Sequence, residues 1–257
     1  IWVDFEDLSP YLVQALVATE DVRFAEHSGI DLKALLRAII KRVILQQRSA
    51  GGGSTITQQL AKQLYTEHVA SGSVQRALQK PTEWVVAVKL ERYYTKEEIL
   101  TLYLNKYDFV NNAVGIYTAS MTYFGKLPSE LNAEESAMLV GMCKNASVYN
   151  PLRRKERTRE RRSVVLGQME KAGYLTASQT DSLQATDIVL NYHKVDHKVG
   201  QATYFREYLR SIMRKQKPER SNYRGWQMQQ FYEDSIDWEQ DPLFGWCNKN
   251  TNQNGKP

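Results

Sequence analysis

Apolar residues recur every three or four positions over most of the chain, which is the spacing of one face of an α-helix. Leu12 and Leu16 keep this spacing ahead of Glu20, and a longer run of it occupies residues 32–45. Alternation of the strand type is confined to short pieces such as residues 187–192. The pattern therefore predicts a mainly α-helical protein.

Helix starts are marked by polar residues that satisfy the free N–H groups of a first turn. Thr55, Thr95 and Asn132 are each followed three residues later by a glutamine or a glutamate, as in a capping box. Gly125 fits the C-terminal cap of a helix over residues 117–124. These signals predict a helix beginning at each of the three caps.

The pattern changes near residue 194. One more helix is predicted over residues 204–213, but the tail that follows is rich in Asn, Gln, Trp and Gly and has no sustained period. We therefore predict a folded domain over residues 1–193 and a linker segment over residues 194–257.

Composition favours an anionic partner. The chain has 257 residues, 42% of them hydrophobic, and a formal net charge of +5, which fits nucleic acid, phosphate or an anionic membrane. Between Asp31 and Glu67 there is no acidic residue, although six basic residues lie there. Cys143 and Cys247 are the only cysteines, and their separation has no metal-ligand spacing. The placement of charge therefore indicates residues 32–66 as the part of the chain that contacts an anionic partner.

Two polar segments interrupt the apolar pattern. The first sets a carboxylate pair beside an aromatic ring, a histidine and a glycine, in Glu20-Asp21-x-x-Phe24-x-x-His27-x-Gly29. The second is a glycine-rich turn opening a helix, Gly53-Ser54-Thr55-Ile56-Thr57-Gln58-Gln59-Leu60-Ala61-Lys62. Glycines let the backbone approach a phosphate, and a helix N-terminus favours negative charge. Helical spacing predicts that Thr55, Gln58 and Lys62 share one face, which could grip an anion.

Three further motifs follow in order. They are Lys80-x-x-Glu83, then Lys96-x-x-Ile99-Leu100-x-x-Tyr103-Leu104-Asn105, then a segment from Tyr123-Phe124-Gly125-Lys126 through Glu135 and Gly141 to Tyr149-Asn150-Pro151. Over roughly residues 12–175 the chain resembles the transglycosylase domain of bacterial class A penicillin-binding proteins, glycosyltransferase family 51. The family usually has Arg before the motif-three lysine, where this chain has Gln79.

The resemblance assigns catalytic roles to Glu20 and Glu83. Glu20 would be the general base for the attacking hydroxyl, and Glu83, one turn after Lys80, would organise the diphosphate region. The substrate-binding residues it implies are Asp21, Phe24, His27, Ser54, Thr55, Gln58, Gln59, Lys62, Arg76 and Lys80. Either Arg76 would supply the charge that Gln79 lacks, or phosphate binding would be weaker. A divalent cation, Mg²⁺ or Mn²⁺, is the one cofactor that the resemblance leaves open.

The resemblance implies polymerisation of lipid II into β-1,4-linked glycan strands with inversion and release of undecaprenyl diphosphate. The implied fold is lysozyme-like, with a larger globular lobe and a smaller membrane-proximal lobe. The expected location is the outer face of the bacterial cytoplasmic membrane, with the anchoring segment absent from this chain. Expected partners are lipid II, the growing glycan, the membrane surface and other cell-wall synthesis proteins, and no nucleic acid. Ser-x-x-Lys and Lys-Thr-Gly, which transpeptidase chemistry needs, are absent from the sequence.

Two other functions stay open. A lysozyme-like muramidase also uses a catalytic glutamate, but an uncharged glycan gives it no use for phosphate-binding residues. A catalytically silent cell-wall scaffold is the second, suggested by Gln79.

Two basic segments carry their own hypotheses. Residues 32–45 have the composition of a basic amphipathic helix in a membrane interface, and the alternative is a core-facing helix with solvated lysines. Residues 153–162 contain seven basic residues and are interpreted as a solvated helix face with internal ion pairs.

Overall fold

The computed structural model describes residues 1–40, 53–65, 73–193 and 202–249, with the backbone alone at 38–39 and 73–79. Over these ranges the regular structure is helical, and the one β-type pairing is an isolated antiparallel bridge between Asp108 and Val114. The prediction of a mainly α-helical protein is confirmed.

The α-helices are numbered in chain order. They are α1 Pro10–Glu20, α2 Leu32–Ile39, α3 Ile56–Tyr65, α4 Ser73–Tyr93, α5 Lys96–Lys106, α6 Ile116–Phe124, α7 Ala133–Cys143, α8 Lys155–Lys171, α9 Ala177–Ala185, α10 Thr203–Met213, α11 Met228–Gln240 and α12 Trp246–Lys249. Short 3₁₀ turns lie at Phe5–Asp7, Phe24–Glu26, Pro128–Glu130, Arg220–Asn222 and Gly225–Gln227.

The chain divides into two compact units, residues 1–195 and 196–257. In the second unit α10 lies where the sequence predicts a helix. The expectation of an aperiodic tail is wrong for residues 228–240, which form α11. The Asp234 carboxylate on this helix is buried and accepts hydrogen bonds from Tyr223 and Gln230. Local polar contacts therefore stabilise α11, a helix that the spacing of apolar residues does not predict.

The predicted caps are present. Thr95 and Asn132 each accept from the N–H three residues on, and Glu98 and Glu135 return the bond, so both form capping boxes. Gly125 ends α6 in the left-handed conformation, with φ of 64°. The helix starts read from the sequence are confirmed at these positions.

Helix α7 forms the centre of the first unit. Every residue from Ser136 to Cys143 is buried, and α7 packs against both α1 and α8. A Cβ at Gly141 would lie 3.1 Å from Arg161 Cγ, so the glycine lets the α8 side chain cross close to α7. This packing brings the C-terminal end of α1 beside α8.

Helix α2 is not a core helix. Leu32 is 70% exposed and Leu36 is 60% exposed, although both are large and apolar. The alternative of a core-facing helix is wrong for these two residues. The predicted run continues to residue 45, and residues 41–45 lie outside those that the structure describes. Within the described residues, no helix is long and apolar enough to span a membrane.

Candidate active site

A cavity of about 690 Å³ lies where the end of α1, the start of α3 and one face of α8 meet. Of the residues predicted for the site, five line it: Glu20, Asp21, Ser54, Thr55 and Gln59. The sequence motifs around residues 20 and 54 therefore do share one site. Its opposite wall comes from a segment that the sequence did not assign to it.

Glu20 is the last residue of α1, and its carboxylate has a donor on each oxygen. Gln59 Nε2 donates to Oε2 at 2.9 Å, and Arg161 Nη2 lies 3.4 Å from Oε1. The side chain is 15% exposed, so the carboxylate is partly shielded from solvent yet opens on the cavity. The two donors fix the orientation of a carboxylate that opens on the cavity, and a carboxylate in that position can act as a general base.

Asp21 ties the first motif to the start of α3. Its carboxylate lies 2.9 and 3.0 Å from His27 Nε2 and accepts from Ile56 N at 3.1 Å. Gly29 N donates to His27 Nδ1, so hydrogen bonding assigns the ring proton to Nε2. Burial raises the pKa of Asp21, and the bonds from His27 and Ile56 work against that rise. Asp21 and His27 thus hold the site together.

Thr55 and Gln58 direct their polar groups inward. Both donate to the carbonyl of Gly29, Thr55 Oγ1 at 2.7 Å and Gln58 Nε2 at 3.3 Å. Gly29 has φ of 91°, and a Cβ there would lie 2.8 Å from the Ala87 carbonyl oxygen on α4. Lys62 is exposed and does not line the cavity. The amide on the cavity wall is that of Gln59.

Phe24 packs against the loop that carries His27. It is 3% exposed, its ring lies edge-on to His27, and Lys96 Nζ sits 4.3 Å from its centroid. Lys96 Nζ also donates to the His27 carbonyl at 2.6 Å and pairs with Glu91. The lysine of the fourth motif therefore braces the first motif.

Lys80 and Glu83 form an ion pair on α4, with Lys80 Nζ 2.6 Å from Glu83 Oε2. Glu83 is 7% exposed, and neither residue lines the cavity beside Glu20. The side chains of Arg76 and Gln79 lie outside the described residues, so the predicted compensation between them stays a prediction.

A divalent cation is held by several converging oxygen ligands. No group of three or more His, Cys, Asp and Glu side chains gathers in the part of the chain that the structure describes. These residues therefore do not form a protein cage for Mg²⁺ or Mn²⁺. The predicted cation stays a prediction, and the mechanism proposed for Glu20 does not use it.

Four basic residues that the sequence analysis did not assign line the cavity: Arg37, Lys144, Arg161 and Lys171. The Arg161 guanidinium is 11% exposed, reaches Glu20 and lies over the Tyr149 ring. Arg162 is 2% exposed and donates to the backbone carbonyls of Thr186 and Asp187. The interpretation of residues 153–162 as a solvated face is wrong for this pair.

A signal for this wall does exist in the sequence. Arg161, Gln168 and Lys171 are spaced by seven and three residues, so a continuous helix places them on one face. All three line the cavity, together with Val164. The many charges of residues 153–162 favour a solvated face, and the helical spacing from Arg161 to Lys171 becomes visible only when the segment is extended to residue 171.

Comparison with known proteins identifies the family of the chain. The family model described as Transglycosylase matches residues 1–170. The chain belongs to the transglycosylase family. The match takes in Glu20, Gln59 and Arg161 and most of the other residues that line the cavity. The transglycosylase domain thus accounts for most of the first compact unit, and the second unit lies beyond the match.

Named relatives are longer proteins. The transglycosylase chain is 37% identical to penicillin-binding protein 1F of Bacillus subtilis over 192 residues, covering 75% of this chain and 26% of the relative. It is 37% identical to penicillin-binding protein 1A of Escherichia coli over 212 residues, covering 82% and 24%. The chain spans about a quarter of the length of these relatives.

A crystal structure of penicillin-binding protein 1A from Haemophilus influenzae is also similar. The match covers 83% of this chain and 21% of that chain, with 24% sequence identity and a TM-score of 0.46.

Proposed function

We propose that this transglycosylase domain polymerises lipid II into β-1,4-linked glycan strands and releases undecaprenyl diphosphate, with Glu20 as the general base. The observation that carries the proposal is the Glu20 carboxylate, which has donors on both oxygens and opens on a cavity of about 690 Å³. The family supplies the substrate class.

The reaction needs a proton acceptor and cationic groups. Glu20 takes the proton of the acceptor sugar's 4-hydroxyl as that oxygen attacks the anomeric carbon of the growing chain, and the bond to the diphosphate oxygen breaks. The negative charge of the substrates suits the basic wall formed by Arg37, Lys144, Arg161 and Lys171. General-base catalysis contributes about 10²- to 10⁴-fold.

A glycan hydrolase is the weaker alternative. A hydrolase of the lysozyme type needs a glutamic acid that stays protonated, which an apolar pocket favours. Glu20 instead faces two polar donors, the Gln59 amide and the Arg161 guanidinium, and not an apolar pocket. The same arrangement argues against a silent scaffold, which needs no aligned donors on a carboxylate.

Membrane association is proposed for α2, because a polyprenyl-linked substrate is presented at a bilayer surface. Leu32, Leu36 and Ile40 are exposed apolar residues on this helix, and Lys33 and Arg37 provide positive charge beside them. The proposed location is the outer face of the bacterial cytoplasmic membrane.

The direct test is incubation of the purified chain with labelled lipid II and gel separation of the products. A ladder of polymers supports the proposal. Absence of any polymer from a folded protein contradicts it, and shortened glycans from preformed peptidoglycan identify the hydrolase instead.

A further inference from the structure

Tyr103 on α5 is completely buried, yet its hydroxyl belongs to a chain of hydrogen bonds that ends at the site. The hydroxyl donates to Gln59 Oε1 at 3.1 Å. Gln59 Nε2 donates in turn to Glu20 Oε2 at 2.9 Å. Each side chain thus donates a hydrogen bond to the next, from the buried phenol on α5 through the amide on α3 to the carboxylate on α1.

The direction of this chain is determined at both ends. An ionised carboxylate only accepts hydrogen bonds, so the amide must present its NH₂ to Glu20 and its oxygen to Tyr103. Burial holds the pKa of the Tyr103 hydroxyl well above its usual range, so the phenol keeps its proton and remains a donor. Without that donor, the Gln59 oxygen would lose its partner, and the amide would lose its reason to keep this orientation.

Other charged and titratable groups around Glu20 act elsewhere. Arg161, from α8, approaches Oε1 rather than Oε2. Asp21 is engaged by His27 and Ile56. Cys143, from α7, is buried and shares a side-chain hydrogen bond with Tyr103, and burial raises the pKa of its thiol, which keeps it neutral. Among the described residues, Gln59 alone donates to Oε2.

We propose that Tyr103 is a positioning residue for the base, fixing the Gln59 amide so that it donates to Glu20 and keeps that carboxylate correctly oriented. The inference rests on the proposed function. Tyr103 has no exposed surface and therefore acts through Gln59 instead of touching the substrate.

The test compares Tyr103→Phe with Tyr107→Phe in steady-state polymerisation of labelled lipid II across a range of pH. Tyr107 is a matched control because its ring stacks on that of Tyr103, with 6.0 Å between the ring centroids. Its hydroxyl donates instead to the backbone carbonyls of Met142 and Cys143. We expect Tyr103→Phe to lower kcat about three- to tenfold with KM within about twofold, the scale of one hydrogen bond.

The pH profile separates positioning from packing. Tyr103→Phe weakens the hold on the Gln59 amide that donates to the carboxylate, so the acidic limb of kcat should move to higher pH in this variant. Tyr107→Phe should leave the limb where it is. An unchanged limb and unchanged kcat in a folded Tyr103→Phe variant would overturn the proposal.

Two further variants test the hydrogen-bonded series in other ways, and the second of them also covers the case in which Tyr103→Phe does not fold. Gln59→Met removes the middle member of the hydrogen-bonded series Tyr103–Gln59–Glu20. Adding Tyr103→Phe to Gln59→Met should then cause no additional loss of kcat. If the losses of kcat in the two single variants instead multiply in the double variant, Tyr103 does not act through Gln59. Difluorotyrosine at position 103 keeps the shape and strengthens the donor, so the acidic limb should move to lower pH. A limb that moves the opposite way, or stays in place, contradicts the proposal.

The outcomes also separate the two levels of inference. If the wild-type chain makes no polymer, the proposed function fails. NMR titration of a labelled Glu20 carboxyl then tests by itself whether Tyr103 acts on Glu20 through Gln59. An upward shift of that titration in Tyr103→Phe supports positioning, and an unchanged titration overturns it. If the wild type makes polymer and Tyr103→Phe equals Tyr107→Phe, only the positioning role fails.

Discussion

Gly141 and Arg161 touch across the α7–α8 interface, and an added Cβ at residue 141 would lie 3.1 Å from Arg161 Cγ. Arg161 Nε also lies 3.4 Å from the Gly141 carbonyl oxygen. The position of the guanidinium beside Glu20 therefore depends on the absence of a side chain on the facing helix.

Gly141→Ala should displace Arg161 by a few tenths of an ångström and weaken its contact with Glu20. We expect polymerisation of lipid II to fall by up to about a hundredfold, since small misplacements near reacting groups are costly. Gly167→Ala on α8 is the control, because the nearest atom to its added Cβ is 4.0 Å away. That variant should gain about 0.5–1 kcal/mol of stability at unchanged rate. Equal rates in both variants would contradict the packing argument.

Glu20→Gln should abolish most polymerisation while the melting curve stays unchanged. The amide keeps the shape but cannot take up the proton of the acceptor hydroxyl, and loss of a general base costs about 10²- to 10⁴-fold. Turnover above about a tenth of wild type, measured on protein with a normal melting temperature, would assign the base to another residue.

The basic wall should control substrate affinity. Lys144→Gln and Lys171→Gln each remove a positive charge that lines the cavity, so we expect a higher KM for lipid II and a weaker dependence on salt. Lys155→Gln, at an exposed position on α8, the helix that carries Lys171, is the matched control and should leave KM unchanged. Similar KM values for all three variants would remove the wall from the substrate site.

Asp31 should add a pH-dependent contribution to stability. Although burial works to raise the pKa of this carboxyl, bonds from the Ala34 N–H and from Arg23 lower it overall. A group with a depressed folded-state pKa stabilises above its unfolded value of 3.8, and that stabilisation is lost as the pH falls further. Denaturant unfolding of Asp31→Asn at pH 7 and pH 3 should show the larger deficit at pH 7. A deficit that is equal at both pH values would refute this assignment.

Exposed apolar residues of α2 should contribute to membrane binding more than to folding. We expect Leu36→Ser with Ile40→Ser to leave the melting temperature nearly unchanged while reducing co-sedimentation with anionic vesicles. Leu16→Ala, in the core, should cost about 2–5 kcal/mol of stability. A large fall in melting temperature with normal vesicle binding would retire the membrane role of α2.

The sequence predicts the helices and the two leading motifs of the site well, because periodicity and caps are local properties. It does not tell which of two adjacent amides faces the base. Gln58 and Gln59 are about 100° apart on α3, and Gln58 is turned inward by the Gly29 carbonyl, 29 residues away. Arg161 shows the same limit, since its role depends on a glutamate 141 residues earlier. Such pairings arise from tertiary packing.

The separation of Glu20 from Arg161 also has a consequence for biogenesis. The two residues flank the chain segment that contains α2 to α7, so the α8 side of the cavity is missing until α8 has docked. Contacts of this length form late, because their loop-closure entropy must be met first. A chain that ends before residue 161 therefore carries the glutamate without this cationic neighbour, and the complete cavity forms only with the closure of the first unit.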